Sequence, residues 1–165
     1  MRHHSVLLPF HCLTQHAVLR LRPTLAVHGR RATKDTCLPR GGGPNGQDPL
    51  RVAKDTYLVY SNYSLHRDRA VFGPDVEDFR PERWTGISPK RFEYLSFGAG
   101  LRHCPGQKMA WVMLAYATAR LAQKVERMEA RDDRPWEEGI AFSFFNVHGV
   151  MISMDFANDA VSEKS

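Results

Sequence analysis

The chain has few cysteines and no long apolar run, and these two shortages set aside several classes of protein. Its three cysteines, Cys12, Cys37 and Cys104, stand 25 and 67 positions apart in 165 residues. No C-x-x-C, no C-x-x-C-H and no even-numbered set occurs, so a disulfide scaffold is not expected and reducing surroundings are. His11, Cys12 and His16 crowd together, but no second ligand pair follows at zinc-finger spacing, and these residues are expected to be solvated or unstructured. The longest uncharged apolar stretch, Met109 to Ala119, is well short of the roughly 20 residues that a membrane-spanning helix needs. Histidines interrupt the short apolar Val6–Phe10, and no small-residue cleavage site follows, so a signal peptide is not expected. The net charge of +5 would permit acidic partners, yet no basic stripe with interleaved aromatics appears, and a nucleic-acid partner is not expected. There is no internal repeat and no second domain. With 42% hydrophobic and 25% charged residues, the composition is that of one globular unit.

What the chain does have is one unusual stretch, Phe97-Gly98-Ala99-Gly100-Leu101-Arg102-His103-Cys104-Pro105-Gly106. Glycines at 98, 100 and 106 allow left-handed or crowded backbone, so that a flat ligand could come close. Pro105 suits the first position of a helix, where its missing N–H costs nothing. A helix from about Gln107 would then point its positive end at the sulfur, a setting that favours thiolate over thiol. Arg102 supplies a fixed positive charge suited to a carboxylate. The same residues also suit a buried cysteine in a Gly-rich turn before a core helix.

The pattern F-x-x-G-x-R-x-C-x-G, filled by Phe97, Gly100, Arg102, Cys104 and Gly106, resembles the haem-binding loop of the cytochromes P450. The resemblance implies haem (heme, iron protoporphyrin) as cofactor, with Cys104 as axial thiolate and metal ligand. It further implies Arg102 as partner of a haem propionate, Phe97 shielding the sulfur, and Gly98 and Gly106 making room. Arg30 matches a position that often contacts a propionate, but a solvated strand arginine reads equally well. Full-length relatives insert one oxygen atom into a C–H bond of a lipophilic substrate. They draw electrons from NADPH through a reductase, at the endoplasmic reticulum membrane. Leu38-Pro39-Arg40-Gly41-Gly42-Gly43-Pro44 is similar to a loop of the fungal alkane and fatty-acid hydroxylating branch.

The implied fold is α+β, mainly α with small β-sheets, and is the incomplete C-terminal portion of the cytochrome P450 fold. Residues 1–16 are unassigned, and the family pattern begins abruptly after them, as if the start had been joined from elsewhere. Residues 17–155 carry the resemblance, with the loop at 97–106, and residues 156–165 form a polar tail. The membrane anchor and the long oxygen-activating helix of the full-length family are expected to be missing. Ala17-Val18-Leu19-Arg20-Leu21-Arg22 reads as the end of a helix halted before Pro23. In the family this helix carries E-x-x-R. Arg20 fills the arginine, but Ala17 stands where the glutamate is expected, and Arg83 in Phe79-Arg80-Pro81-Glu82-Arg83-Trp84 would be the later arginine to which that glutamate and arginine lock. Unpaired arginines in such a core can cost several kcal/mol.

Further on, Thr24–Leu38, Leu50–Val52 and Thr56–Tyr60 read as extended, Pro39–Gly46 as a turn cluster and Ser61–Arg67 as helical. His66 reads as a satisfied core or surface histidine outside the site. Trp111, Leu114, Ala115, Thr118, Leu121, Ala122 and Val125 repeat at helical spacing and are expected to pack in a core. Arg131–Gly139 reads as a charged connector. Ile140–Phe145 and Val150–Met154 read as two strands of one hairpin through Asn146–Gly149, with Phe144 and Phe145 as strand aromatics or substrate contacts. Two functions of different class follow: a haem-thiolate monooxygenase present as a fragment, or a non-catalytic remnant with little or no haem binding.

Overall fold

The computed structural model describes residues 4–141 and 143–157, with the backbone alone for residues 4–11 and Ile140. Helix α1 (His4–Leu21) comes first, followed by strands β1 (Val27–Arg31), β2 (Thr36–Gly42), β3 (Asp48–Val52) and β4 (Tyr57–Ser61). Three single-turn helices follow: α2 (Asn62–Leu65), α3 (Arg69–Phe72) and α4 (Arg83–Gly86). The long helix α5 (Gln107–Lys124) leads into β5 (Val125–Ala130), β6 (Glu138–Ile140), β7 (Phe144–Asn146) and β8 (Ile152–Phe156). All strands pair antiparallel in two-stranded sheets: β1 with β4, β2 with β3, β5 with β8, and β6 with β7. The α+β class therefore holds: among the described residues two long and three short helices stand beside eight strands paired in small sheets.

α1 ends where Pro23 demanded, but it runs unbroken across the boundary expected at residue 16. The core is small and lies at the end of this helix. Ala17, Leu21, Ala26, Phe72 and Val76 are buried there beside three polar side chains, Arg20, Asn62 and His66. Arg67 ties α2 to the same place: its Nη2 donates to Leu21 O at 2.9 Å, its Nε pairs with Glu77 at 3.0 Å, and it lies 3.6 Å over the Tyr63 ring. Desolvation and cation–π contact both strengthen such a tie.

Three expectations are corrected. β7 and β8 do follow one another through a turn at Asn146–Gly149, where Gly149 takes φ +70°. They nevertheless belong to different sheets. β8 pairs with β5, and Ile140–Phe145 is divided between the separate β6–β7 hairpin. The helix stripe also stops one residue early, because Val125 opens β5. Arg127, Glu129 and Arg131 mark that strand: alternate residues share one face, and Glu129 pairs with both arginines. Finally, strand β2 extends through Pro39 to Gly42 with a bulge after Leu38, so the expected turn cluster is partly strand.

α5 is the least covered element. None of its residues is buried, and Met109, Val112, Met113, Tyr116 and Leu121 are exposed. Its stripe has the spacing of core packing without a core to pack in. The expectation that this stripe packs in a core is therefore also corrected: its apolar residues stand half-buried or exposed.

Candidate functional site

The Phe97–Gly106 stretch forms a closed backbone turn leading into α5. Cys104 N–H donates to Phe97 O at 2.9 Å, and His103 N–H to Gly100 O at 3.2 Å, across a single 3-10 turn at Gly100–Arg102. Gly98 and Gly100 each take φ +72°, the left-handed region that L side chains rarely adopt. Gly106 differs, with φ −83°, so its lack of a side chain serves space and not backbone freedom. A Cβ there would sit 3.7 Å from Cys104 Sγ, on the sulfur's own flank. The helix begins at once: Gln107 N–H reaches Cys104 O at 3.4 Å and Ala110 N–H reaches Gly106 O at 2.8 Å.

Cys104 is a free, half-buried thiol at the N-terminal end of α5. Phe97 packs on Trp111 of that helix, ring centroids 5.4 Å apart. Arg102 is exposed and has no ion-pair partner among the described residues. Arg30, on β1, donates to Gly29 O at 2.9 Å and lies over the Tyr60 ring at 5.9 Å. No hydrogen bond or ion pair joins Arg30 to the loop among the described residues. The turn thus brings together Phe97, Gly98, Arg102, Cys104 and Gly106, and leaves Arg30 apart.

An aromatic chain connects the loop to the core. From Phe97 and Trp111 it passes to His16, 4.9 Å from Trp111, and on to Trp84 at 5.0 Å and Tyr94 at 5.6 Å. Trp84 and Tyr94 meet edge to face at 4.7 Å, and Trp84 reaches Phe72 at 6.1 Å. Such tilted and edge contacts suit the ring quadrupoles. Burial pushes the Tyr94 hydroxyl up to about 12 and lowers His16. His16 is half-buried among these rings and not the solvated residue expected, whereas Cys12 is exposed. The His11 side chain lies outside the described residues. No group of three His, Cys, Asp or Glu side chains among the described residues could hold a metal.

A cleft of about 560 Å³ lies between α1, α5 and the strand of chain leading into the loop, walled by His16, Tyr94, Phe97, Gly98 and Trp111. Cys104 and Arg102 are not on its wall, so this cleft records the uncovered face of α5 and not a ligand seat.

The arginine pair shows what the sequence missed. Arg20 is fully buried; Nη1 donates to His66 O at 3.0 Å and Nη2 to Asp78 O at 3.2 Å. Burial, helped by the like charges of Arg83 and Arg67, lowers it to about 10. Arg83 finds a carboxylate in Asp75, whose Oδ1 accepts from Nη1 at 2.7 Å, and also bonds the carbonyls of Asp75 and Phe72. Hydrogen bonds from Arg83, and then from Arg80, hold the Asp75 carboxyl well below the usual range. Asp75 was not expected in this network; an acid eight residues before Arg83 was the available signal. The Nε of both arginines remains without a partner.

The family model of the cytochromes P450 matches residues 8–144. The chain belongs to the cytochrome P450 family. It is 42% identical over 137 residues to the cytochrome P450 monooxygenase fsdH of Fusarium heterosporum, an alignment covering 83% of this chain and 24% of that one. It is 42% identical over 135 residues to the monooxygenase FPY7 of Fusarium mangiferae, covering 82% and 26%. To cytochrome P450 52A13 of Debaryomyces hansenii it is 40% identical over 139 residues, covering 83% and 27%. The chain spans about a quarter of the length of the curated relatives it matches. Haem is the cofactor of this P450 family. The donor set here suits it, with one soft thiol whose flank Gly106 leaves without a side chain, and a guanidinium two residues before that has no ion-pair partner among the described residues.

Proposed function

We propose that Cys104 is the axial thiolate of a haem, and that the longer polypeptide of which this chain is a part is a monooxygenase acting on a lipophilic substrate. The observation that carries the reading is the Cys104 thiol, free and half-buried at the start of α5, beyond a turn held by two left-handed glycines. When bound, haem supplies the oxidising chemistry, and thiolate ligation favours oxygen activation. This chain's share is to hold and orient. The Cys104 N–H bond to Phe97 O fixes the sulfur's direction, Gly106 keeps its flank open, and Phe97, wedged on Trp111, shields that side from water. Arg102 would meet a propionate; Arg30 would do so only if the complete fold closes on it.

The resemblance of Leu38–Pro44 to a loop of the fungal alkane and fatty-acid hydroxylating branch supports an alkane or fatty acid as the substrate; electrons from an NADPH-dependent reductase and an endoplasmic reticulum location would follow, as in full-length members of the family. No helix among the described residues is long and apolar enough to cross a membrane. A second reading, a remnant with little haem affinity, is favoured by one observation: α5, which carries the ligand loop, buries none of its residues.

The deciding experiment is a carbon monoxide difference spectrum of the reduced, haem-reconstituted chain, with Cys104→Ala beside it. A red-shifted Soret band that disappears in the variant is the expected result. No such band in the unaltered chain would overturn the ligand reading and leave the remnant.

A further inference from the structure

Two fully buried polar side chains, Asn62 and His66, have no part in the site described so far. They stand one turn apart at the two ends of α2, so they share a face. Both reach the same residue, Leu95, two positions before Phe97. His66 Nε2 accepts from Leu95 N–H at 2.9 Å, and Asn62 Nδ2 donates to Leu95 O at 2.9 Å. The same carbonyl accepts Gly98 N–H at 3.0 Å, which starts the turn, and Phe97 O receives Cys104 N–H. A short hydrogen-bonded path therefore runs from α2 through Leu95 to the backbone of the thiol. α2 is itself anchored: Arg20 of α1 donates to His66 O, and Tyr63 N–H to Ala26 O at 3.2 Å.

We propose that Asn62 and His66 are positioning residues of the Cys104 loop, which grip the Leu95 peptide at its N–H and its carbonyl. They thereby fix the point from which the Phe97–Cys104 turn departs. The inference rests on reading Cys104 as the haem ligand. Burial is what makes the grip specific. A buried donor or acceptor left unmade costs more than an exposed one, so the Leu95 peptide cannot turn without orphaning polar groups on α2. Because Nε2 accepts, the imidazole carries its proton on Nδ1, and only the neutral ring can serve. Tyr94 closes the other side, its ring 4.8 Å from that of His66.

The test compares His66→Leu with His66→Gln in the full chain. The glutamine Oε1 can take the place of Nε2 as acceptor, and leucine cannot. In the haem-free protein, the Leu95 amide in His66→Leu is expected to exchange hydrogen about tenfold faster relative to Ala110 in α5. In the reconstituted protein the red-shifted carbon monoxide band is expected to give way to the unshifted one. His66→Gln is expected to restore both. Unchanged Leu95 exchange in His66→Leu, a full red-shifted band despite lost protection, or a folded glutamine variant that behaves as leucine would each overturn the proposal. Should His66→Leu fail to fold, Asn62→Ala reads the carbonyl side of the grip. Its red-shifted band is expected to weaken, and a full band in folded Asn62→Ala overturns the proposal. Absence of the band in the unaltered chain would instead overturn the ligand reading, while Leu95 exchange, measured without haem, still decides whether the grip exists.

Discussion

Acidification should weaken this fold well above the range where carboxylates titrate, and His66 should account for a definable part of the loss. The side chain is fully buried, and desolvation lowers it from 6.5 to about 4, with the nearby Arg20 and Arg67 charges adding to the effect. Between those two values the unfolded chain takes up a proton that the folded chain refuses. Stability is therefore complete above about pH 6.5, falls as pH drops toward 4, and loses nothing more from this group below that. The full shift is worth about 3 kcal/mol, and at pH 5 about 2 kcal/mol is already gone. Domains hold only about 5–15 kcal/mol in total, so a chain with a core this small should respond visibly. His16 and His28, both lowered mainly by burial, act with the same sign. Asp75, lowered chiefly by Arg83 and Arg80, begins to contribute only below about pH 4. Urea unfolding at pH 7 and pH 5 on the unaltered chain and on His66→Gln isolates the histidine, because glutamine keeps an acceptor and cannot titrate. The variant should lose about 2 kcal/mol less between the two pH values. Equal losses in both proteins would refute the assignment of a buried, neutral His66.

Ala17→Glu places a carboxylate one turn before Arg20 and should raise stability in urea by about 1–3 kcal/mol, by pairing a guanidinium whose Nε is unsatisfied. The gain should vanish in the background of Arg20→Met, and a loss on the single change would show that the site cannot admit the side chain. Gly98→Ala should cost about 1 kcal/mol in thermal or urea unfolding, since residue 98 sits at φ +72°, and should also weaken the red-shifted carbon monoxide band. Gly46→Ala, at φ +65° in the β2–β3 turn, should cost a similar amount and leave the band intact. Val112→Lys with Met113→Glu should increase the monomer fraction in sedimentation and change stability by no more than about 0.5 kcal/mol, because both side chains stand in solvent on α5.

Local chemistry made the turn at Phe97–Gly106 legible in the sequence. The two glycines at 98 and 100 take the left-handed backbone and the cysteine precedes the helix as expected, but Pro105 stands one residue before the N-cap Gly106 and not at the first helical position. The end of α1 was equally legible, because Pro23 permits little else. Pairing was not. Nothing local to Ile152–Phe156 tells it to leave the adjacent β7 for the distant β5, and the expected elements included no strand at Val125–Ala130. His66 and Asp75 had partners hidden from the sequence for a related reason. Each is ordinary in its own segment and acquires its role from a partner, Leu95 for the first and Arg83 for the second, that the fold supplies.

The Ala17 substitution is less damaging in the structure than the pattern suggested, and the reason bears on the two functional readings. The buried arginines are not left bare: Arg20 is solvated by the carbonyls of His66 and Asp78, and Arg83 has turned to Asp75. Those substitutes lie on the segments flanking α3, the same segments that hold α2 and, through it, Leu95. A network with its own carboxylate would be centred on α1, whereas this one is centred on the connection that supports the loop. Ala17 thus leaves Arg20 without a side-chain carboxylate among the described residues, while the Arg20 bond to His66 O still joins α1 to α2. The loop can keep the geometry of a ligand site even where α5, beyond it, lacks a core. For this reason haem affinity and global stability should be separable here, and a weakly folded chain that still binds haem through Cys104 is the outcome the contacts favour.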